Sequence, residues 1–184
     1  MSLRIIGGNH RGRRLEAPPG LDTRPLPDRI KQSLFDWLGQ DLSALSVADV
    51  CSGSGSFGLE AFSRGASRVH LIEPGRHAVA ALTANLHSLG DPAAVTWHRQ
   101  PFQAVLPTLT GLDLIFADPP FPWFTSQPDD LHLLLELART SLAPDGHILM
   151  RGESGQLLPA LPVGLVETER RIYGRSWVAA FSAV

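Results

Sequence analysis

The sequence predicts an α/β domain built on a mostly parallel sheet, and three observations carry that reading. From about residue 46 short apolar runs alternate with stretches of helical periodicity. A glycine-rich loop follows the first of those runs, and two late strand-like runs are joined by a tight turn. Strand–helix alternation covers both faces of a sheet, so its strands read as nearly unbroken apolar runs. The 184 residues, 43% hydrophobic and 18% charged, suit one globular domain with a full core. No apolar stretch reaches membrane-spanning length, and the first residues lack a signal-peptide pattern. A single cysteine, Cys51, excludes an internal disulfide framework. A cytoplasmic protein is expected.

Taken in order, residues 3–8 and 13–16 read as two short strands around a Gly-rich turn. Pro27 sits where a helix can start, with Ile30, Leu34, Trp37 and Leu38 spaced along one face. Strands are predicted over 47–50, 68–72, 95–98, 112–117 and 147–151, with helices over 57–64, 76–89 and 131–142 between them. Residues 165–172 and 176–181, joined by Tyr173-Gly174-Arg175, read as an antiparallel hairpin. Five parallel strands closed by a hairpin give a seven-stranded Rossmann-like sheet. The chain divides into a small hairpin-and-helix extension, 1–40, and a main domain, 41–184.

The loop after the first strand is Asp49-Val-Cys51-Ser52-Gly53-Ser-Gly55, running on to Gly58. In a doubly wound fold a nucleotide-like ligand lies here against close-approaching backbone. Gly53-x-Gly55-x-x-Gly58 also matches the dinucleotide fingerprint, and Glu73 ends the second strand 20 residues after Gly53. NAD and S-adenosylmethionine (SAM) therefore compete. A charged Asp49 is a poor neighbour for pyrophosphate and a good one for the cationic end of SAM. Glu73 suits either ribose. Cys51 reads as a small side chain packed under the ligand, because no base is placed beside it. The seven histidines show no metal-ligand spacing, and no metal is expected.

The fourth strand empties into Asp118-Pro119-Pro120-Phe121. The prolines stiffen the backbone and remove two N–H donors, leaving carbonyls without local partners. Asp118 and the Pro119 carbonyl then offer two fixed acceptors for an exocyclic amine, with Phe121 as a flat face beside them. Holding both amine protons aims the nitrogen lone pair at an electrophile. An ordinary Asp-Pro turn at a strand end is the plainer alternative. Together with Asp49 and Glu73, the motif favours SAM over NAD. Residues 122–128 are predicted to form a loop over the site. Trp123 and Phe124 there either grip an extruded nucleotide or pack on the protein itself.

The net charge of −2 is unevenly spread. Residues 1–31 carry seven basic side chains against three acidic ones, net +4, leaving −6 on the rest. A basic arm on an acidic body is an electrostatic footprint for nucleic acid, or simply a solvated face.

With both loops read, the chain resembles the RsmD family of bacterial 16S rRNA guanine-N2 methyltransferases. The resemblance runs through Arg4-Ile-Ile-Gly-Gly…Arg11-Gly-Arg13-Arg14-Leu15, Thr23-Arg24-Pro25, Ser52-Gly53-Ser-Gly55, Asp118-Pro-Pro-Phe121 and the late Tyr173-Gly174. It implies a class I SAM-dependent methyltransferase fold and SAM contacts at Asp49, the Ser52–Gly55 loop and Glu73. It also implies target-amine contacts at Asp118, Pro119 and Phe121, with Pro120 completing the motif. rRNA contacts are implied for Arg11, Arg13, Arg14 and Arg24. Relatives often carry Asp or Asn after the third strand to hold the adenine; Gln100 or Phe102 takes that place here. The implied substrate is N2 of guanine 966 in 16S rRNA of an assembling small subunit, and a monomer is expected. A DNA adenine-N6 or protein glutamine-N5 methyltransferase would share the core chemistry but need a recognition insertion. An NAD oxidoreductase or a non-enzymatic assembly factor would leave Asp118 unexplained.

Overall fold

The computed structural model describes residues 3–19 and 26–184; Arg24 and its neighbours 20–25 lie outside the described residues. Seven strands form one sheet in the order β3-β2-β1-β4-β5-β7-β6. They are β1 (Ser46–Val50), β2 (Arg68–Ile72), β3 (Val95–His98), β4 (Leu112–Ala117), β5 (Leu142–Glu153), β6 (Leu165–Tyr173) and β7 (Ser176–Ala183). The first five pair in parallel, while β7 runs antiparallel between β5 and β6. The strand order reverses between β1 and β4, and at such a switch point the loops leaving both strands diverge and open a crevice.

The helices are α1 (Asp28–Leu38), α2 (Ser56–Ser63), α3 (Val79–Ser88), α4 (Phe102–Val105), α5 (Trp123–Ser126) and α6 (Pro128–Ser141). All five residues of β1 are buried, as a strand covered on both faces requires. One face packs Val47, Val69, Leu71, Phe116 and Val178 against α1, α2 and α3. The other packs Val50, Ile115, Ile148 and Phe181 against α4 and α6.

Two expectations are corrected. Residues 122–128 are not a loop: Pro122 opens the short α5, and Pro128 begins α6. Fixed proline φ angles are pre-organised for a first helical turn. The N-terminal hairpin also keeps less ladder than its sequence suggests, reducing to one bridge, Arg4↔Arg14, with bonds from Ile5 N to Arg13 O and Leu15 N to Leu3 O. The reason is a competitor for its amides. Ile6 N and Gly7 N donate to the two carboxylate oxygens of Glu60 on α2, at 2.8 and 2.7 Å.

Glu60 is fully buried and also accepts from Arg64 Nε at 2.9 Å, with Lys31 Nζ of α1 at 3.3 Å. Lys31 in turn donates to the Arg4 carbonyl and to Ser56 Oγ. Burial pulls the Lys31 ammonium below its usual range, and Glu60 opposes that pull. Leu3, Ile5 and Leu15 of the hairpin and Ile30, Leu34 and Phe35 of α1 lie in the same apolar core as β1 and β7. The basic arm is thus fastened to the body by shared apolar packing and by one buried ion cluster.

Candidate active site

The chain leaves β1 in a tight turn. Cys51 takes φ 60°, an uncommon conformation for a non-glycine residue, and its amide and that of Ser52 both donate to the Ile72 carbonyl at the end of β2. Burial pushes the Cys51 thiol well up, which disfavours the reactive thiolate. Gly53 follows with φ 53°, and a Cβ there would meet open space, so the backbone is bare toward the cavity. Its amide donates to Glu73 Oε2 at 3.0 Å. Glu73 Oε1 accepts from Gly75 N at 2.7 Å, so one carboxylate ties the loops after β1 and β2 together.

Gly58 on α2 lies hard against the sheet. A Cβ there would fall 2.3 Å from Leu71 Cδ2 and 3.2 Å from Asp49 Cβ. That closeness lets its amide donate to Asp49 Oδ2 at 2.8 Å. Asp49 is 1% exposed, and burial raises its carboxyl to about 8 despite the Gly58 bond.

These residues and those after β4 line one cavity of about 420 Å³. Asp49, Ser52, Gly53 and Glu73 form one side; Asp118, Pro119, Pro120 and Phe121 form the other. Phe57 and Phe116, stacked at 4.1 Å, lie between them. Asp118 Oδ2 accepts from Arg151 Nη1 at 2.7 Å, and the Arg151 guanidinium lies 5.2 Å from the Phe121 ring centre. Desolvation raises the Asp118 carboxyl above its usual range, and Arg151 draws it back. Gln156 Nε2 holds the Phe121 carbonyl at 2.7 Å.

Not every expected residue meets the cavity. Gly55 caps α2 with φ 74°, and a Cβ there would strike Leu82 and Leu71, so its role is in the turn and the packing. Gln100 is exposed and outside the cavity lining, and Phe102 is buried in the core behind it. Phe124 is also a core residue, packed edge-on against Trp177 at 5.6 Å, while Trp123 does line the cavity. Arg11, Arg13 and Arg14 are exposed on the hairpin. Sequence reasoning missed Arg151, although a charge interrupting the apolar run of β5 at its carboxyl end was a visible signal. It also missed Leu26 and Pro18, which reach the cavity from the N-terminal segment.

The residues present suit SAM. Ser52 Oγ is buried at the cavity with no hydrogen-bond partner, so a polar ligand atom is wanted there. Each Glu73 oxygen accepts one amide and keeps further lone-pair capacity for ribose hydroxyls. Asp49 offers a buried countercharge to a cation. Among the described residues no cluster of three or more His, Cys, Asp or Glu could hold a metal. Also among the described residues, no helix is long and apolar enough to cross a membrane.

The sheet order and the carboxylate-flanked glycine loop at its switch point define a methyltransferase of the class I α/β fold. The sequence matches the family described as "Conserved hypothetical protein 95" over residues 3–182, and the chain belongs to this family, the RsmD family of methyltransferases. It is 31% identical over 189 residues to the "Putative rRNA methyltransferase YlbH" of Bacillus subtilis, covering 97% of this chain and 98% of that one. It is 39% identical over 121 residues to ribosomal RNA small subunit methyltransferase D of Escherichia coli K12, covering 65% of this chain and 60% of the relative. Among solved structures, the "Putative methyltransferase yhhF" of E. coli superposes with a TM-score of 0.84 at 28% identity, covering 100% of this chain and 98% of that one.

Proposed function

We propose that this protein transfers a methyl group from SAM to the exocyclic N2 of a guanine in 16S rRNA of the assembling small subunit, at the family's position 966. The observation that carries the proposal is the meeting of the Asp118–Phe121 motif with Asp49, Ser52, Gly53 and Glu73 in one cavity. SAM supplies, when bound, a methyl group activated on a sulfonium. Asp49 offsets its positive charge, Glu73 takes ribose hydroxyls, and the bare backbone at Gly53 allows close approach.

The target base leaves its stack to enter, because an amine within a stack cannot be reached. Phe121 stacks on it while Asp118 and the Pro119 carbonyl accept hydrogen bonds from the amine, and the proton displaced by methylation passes to Asp118 or to water. Arg151 fixes the Asp118 carboxylate by its 2.7 Å bond, so orienting the amine requires little rearrangement. Residues 1–40 act as the RNA-binding extension, with Arg11, Arg13, Arg14 and Arg24 as its phosphate-binding side chains, and a monomer working in the cytoplasm suffices.

Tritiated-SAM transfer to small subunits from a strain lacking the endogenous enzyme, with the labelled base mapped, tests the reading. Label at guanine N2 supports it. Label on adenine N6 or on protein refutes the assigned substrate, and the absence of label refutes the activity.

A further inference from the structure

A second opening lies on the N-terminal arm, between the hairpin and the first turn of α1. It is a cleft of about 360 Å³ whose walls include Arg4 and Arg11 from the hairpin and Asp28 and Arg29 from α1. Three arginines and one aspartate thus share its walls. Asp28 accepts from Arg4 Nε at 2.9 Å, which holds that guanidinium at the cleft by one edge. Among the described residues no ion pair engages Arg11 or Arg29. The first-turn amides of α1 have no intrahelical acceptor, and no side chain caps them, since the N-cap is Pro27. Guanidinium forks and a helix N-terminus both favour a phosphate group.

The cleft also has a fixed relation to the cavity. Leu26 lines the cavity, and Asp28, two residues later, lines the cleft. Two residues of backbone span at most about 7 Å. The wall of one opening therefore continues into the wall of the other.

We propose that this cleft seats a backbone phosphodiester of the same RNA strand that delivers the target base, with Arg29 and Arg11 as its principal contacts and Arg4 held ready by Asp28. The proposal rests on the rRNA-methyltransferase reading and adds where the strand is gripped. The cleft has room for a phosphate with its neighbouring sugars, and its place beside the cavity favours a strand already threaded to the site over a free anion. A backbone contact there sets register without reading sequence.

The test uses the full chain and a labelled RNA fragment spanning the target guanine, with binding followed by anisotropy against salt. Arg29→Ala and Arg11→Ala should each flatten the log–log salt slope by roughly 0.7 and weaken binding about fivefold at 0.1 M salt. SAM affinity and melting temperature should not change. Arg29→Lys should restore the slope, because it keeps the charge. Unchanged slopes in both alanine variants, with normal methyl transfer by the wild type, would overturn the seat and leave the activity standing. Flattened slopes in the alanine variants, beside a wild type that methylates no RNA, would keep the seat and overturn the activity. Inorganic phosphate that protects Arg29 from arginine-directed labelling, with no effect of Arg29→Ala on RNA, would assign the cleft to a free anion and overturn the proposal.

Discussion

Asp118 and Asp49 stand at the ends of adjacent parallel strands, and both carboxyls are pushed up by burial, but only one has a cation beside it. Arg151 holds Asp118 in place, so Asp118→Ala should cut methyl transfer about a hundredfold or more while SAM affinity stays close to normal. Single-turnover kinetics beside calorimetry check it; near-normal turnover would remove Asp118 from the chemistry. Asp49 has no such partner, and its carboxyl sits at about 8. At pH 7 it is largely protonated in the free protein. A cationic ligand favours the ionised form, so binding should release a proton and tighten as pH rises toward 8, then level off. Calorimetry in buffers of different ionisation enthalpy reads that proton, and Asp49→Asn should abolish it. The same raised value makes Asp49 a cost to stability that grows as pH climbs from about 4 to 8, because the unfolded carboxyl ionises first. The identity of both residues was legible in the chain, since each ends an apolar run in a charge. Arg151 gives the same local signal at the end of β5, but nothing local says that the neighbouring strand will bring it to Asp118.

Among the elements, strands β2, β3 and β4 lie where the apolar runs placed them, to the residue. Central β4, buried at all but one residue, announces itself because both its faces must be apolar, whereas β3 lies half-exposed at the sheet edge. The short α4 and α5 escaped notice for the opposite reason: one turn of helix has too few residues to show a period. The Glu60 cluster was equally hidden. A glutamate in the middle of a helix reads as a solvated face, yet Glu60 is enclosed by Lys31, Arg64 and two hairpin amides 53 and 54 residues away. Removing it leaves two buried cations without their counterion. Glu60→Ala should therefore cost about 3–5 kcal/mol in urea unfolding. A loss below about 1 kcal/mol, the range of surface pairs, would mean water reaches the cluster.

At the scale of the whole molecule, charge is segregated: a basic arm fastened onto an acidic body. Among the described residues no ion pair engages Arg11, Arg13 or Arg14. Changing all three to alanine should leave the melting temperature unchanged, raise the KM for the ribosomal substrate, and flatten the salt dependence by roughly 0.7–0.9 log unit per lost phosphate contact. A lower melting temperature with unchanged KM would make them structural. The place of β7 has a consequence of another kind, in the order of events during synthesis. β6 leaves the ribosome before β7, yet β7 must lie between it and β5. A nascent chain that has just released β6 therefore holds a strand with no partner beside a parallel sheet whose β5 border is bare. Val178 and Ala180 of β7 also complete the core that Leu3 and Ile5 enter. The core into which the arm packs is therefore complete only when β7 has emerged. Stalled chains ending before residue 176 would present an open β5 border and an incomplete core beneath the basic arm together, a combination suited to capture by chaperones or proteases.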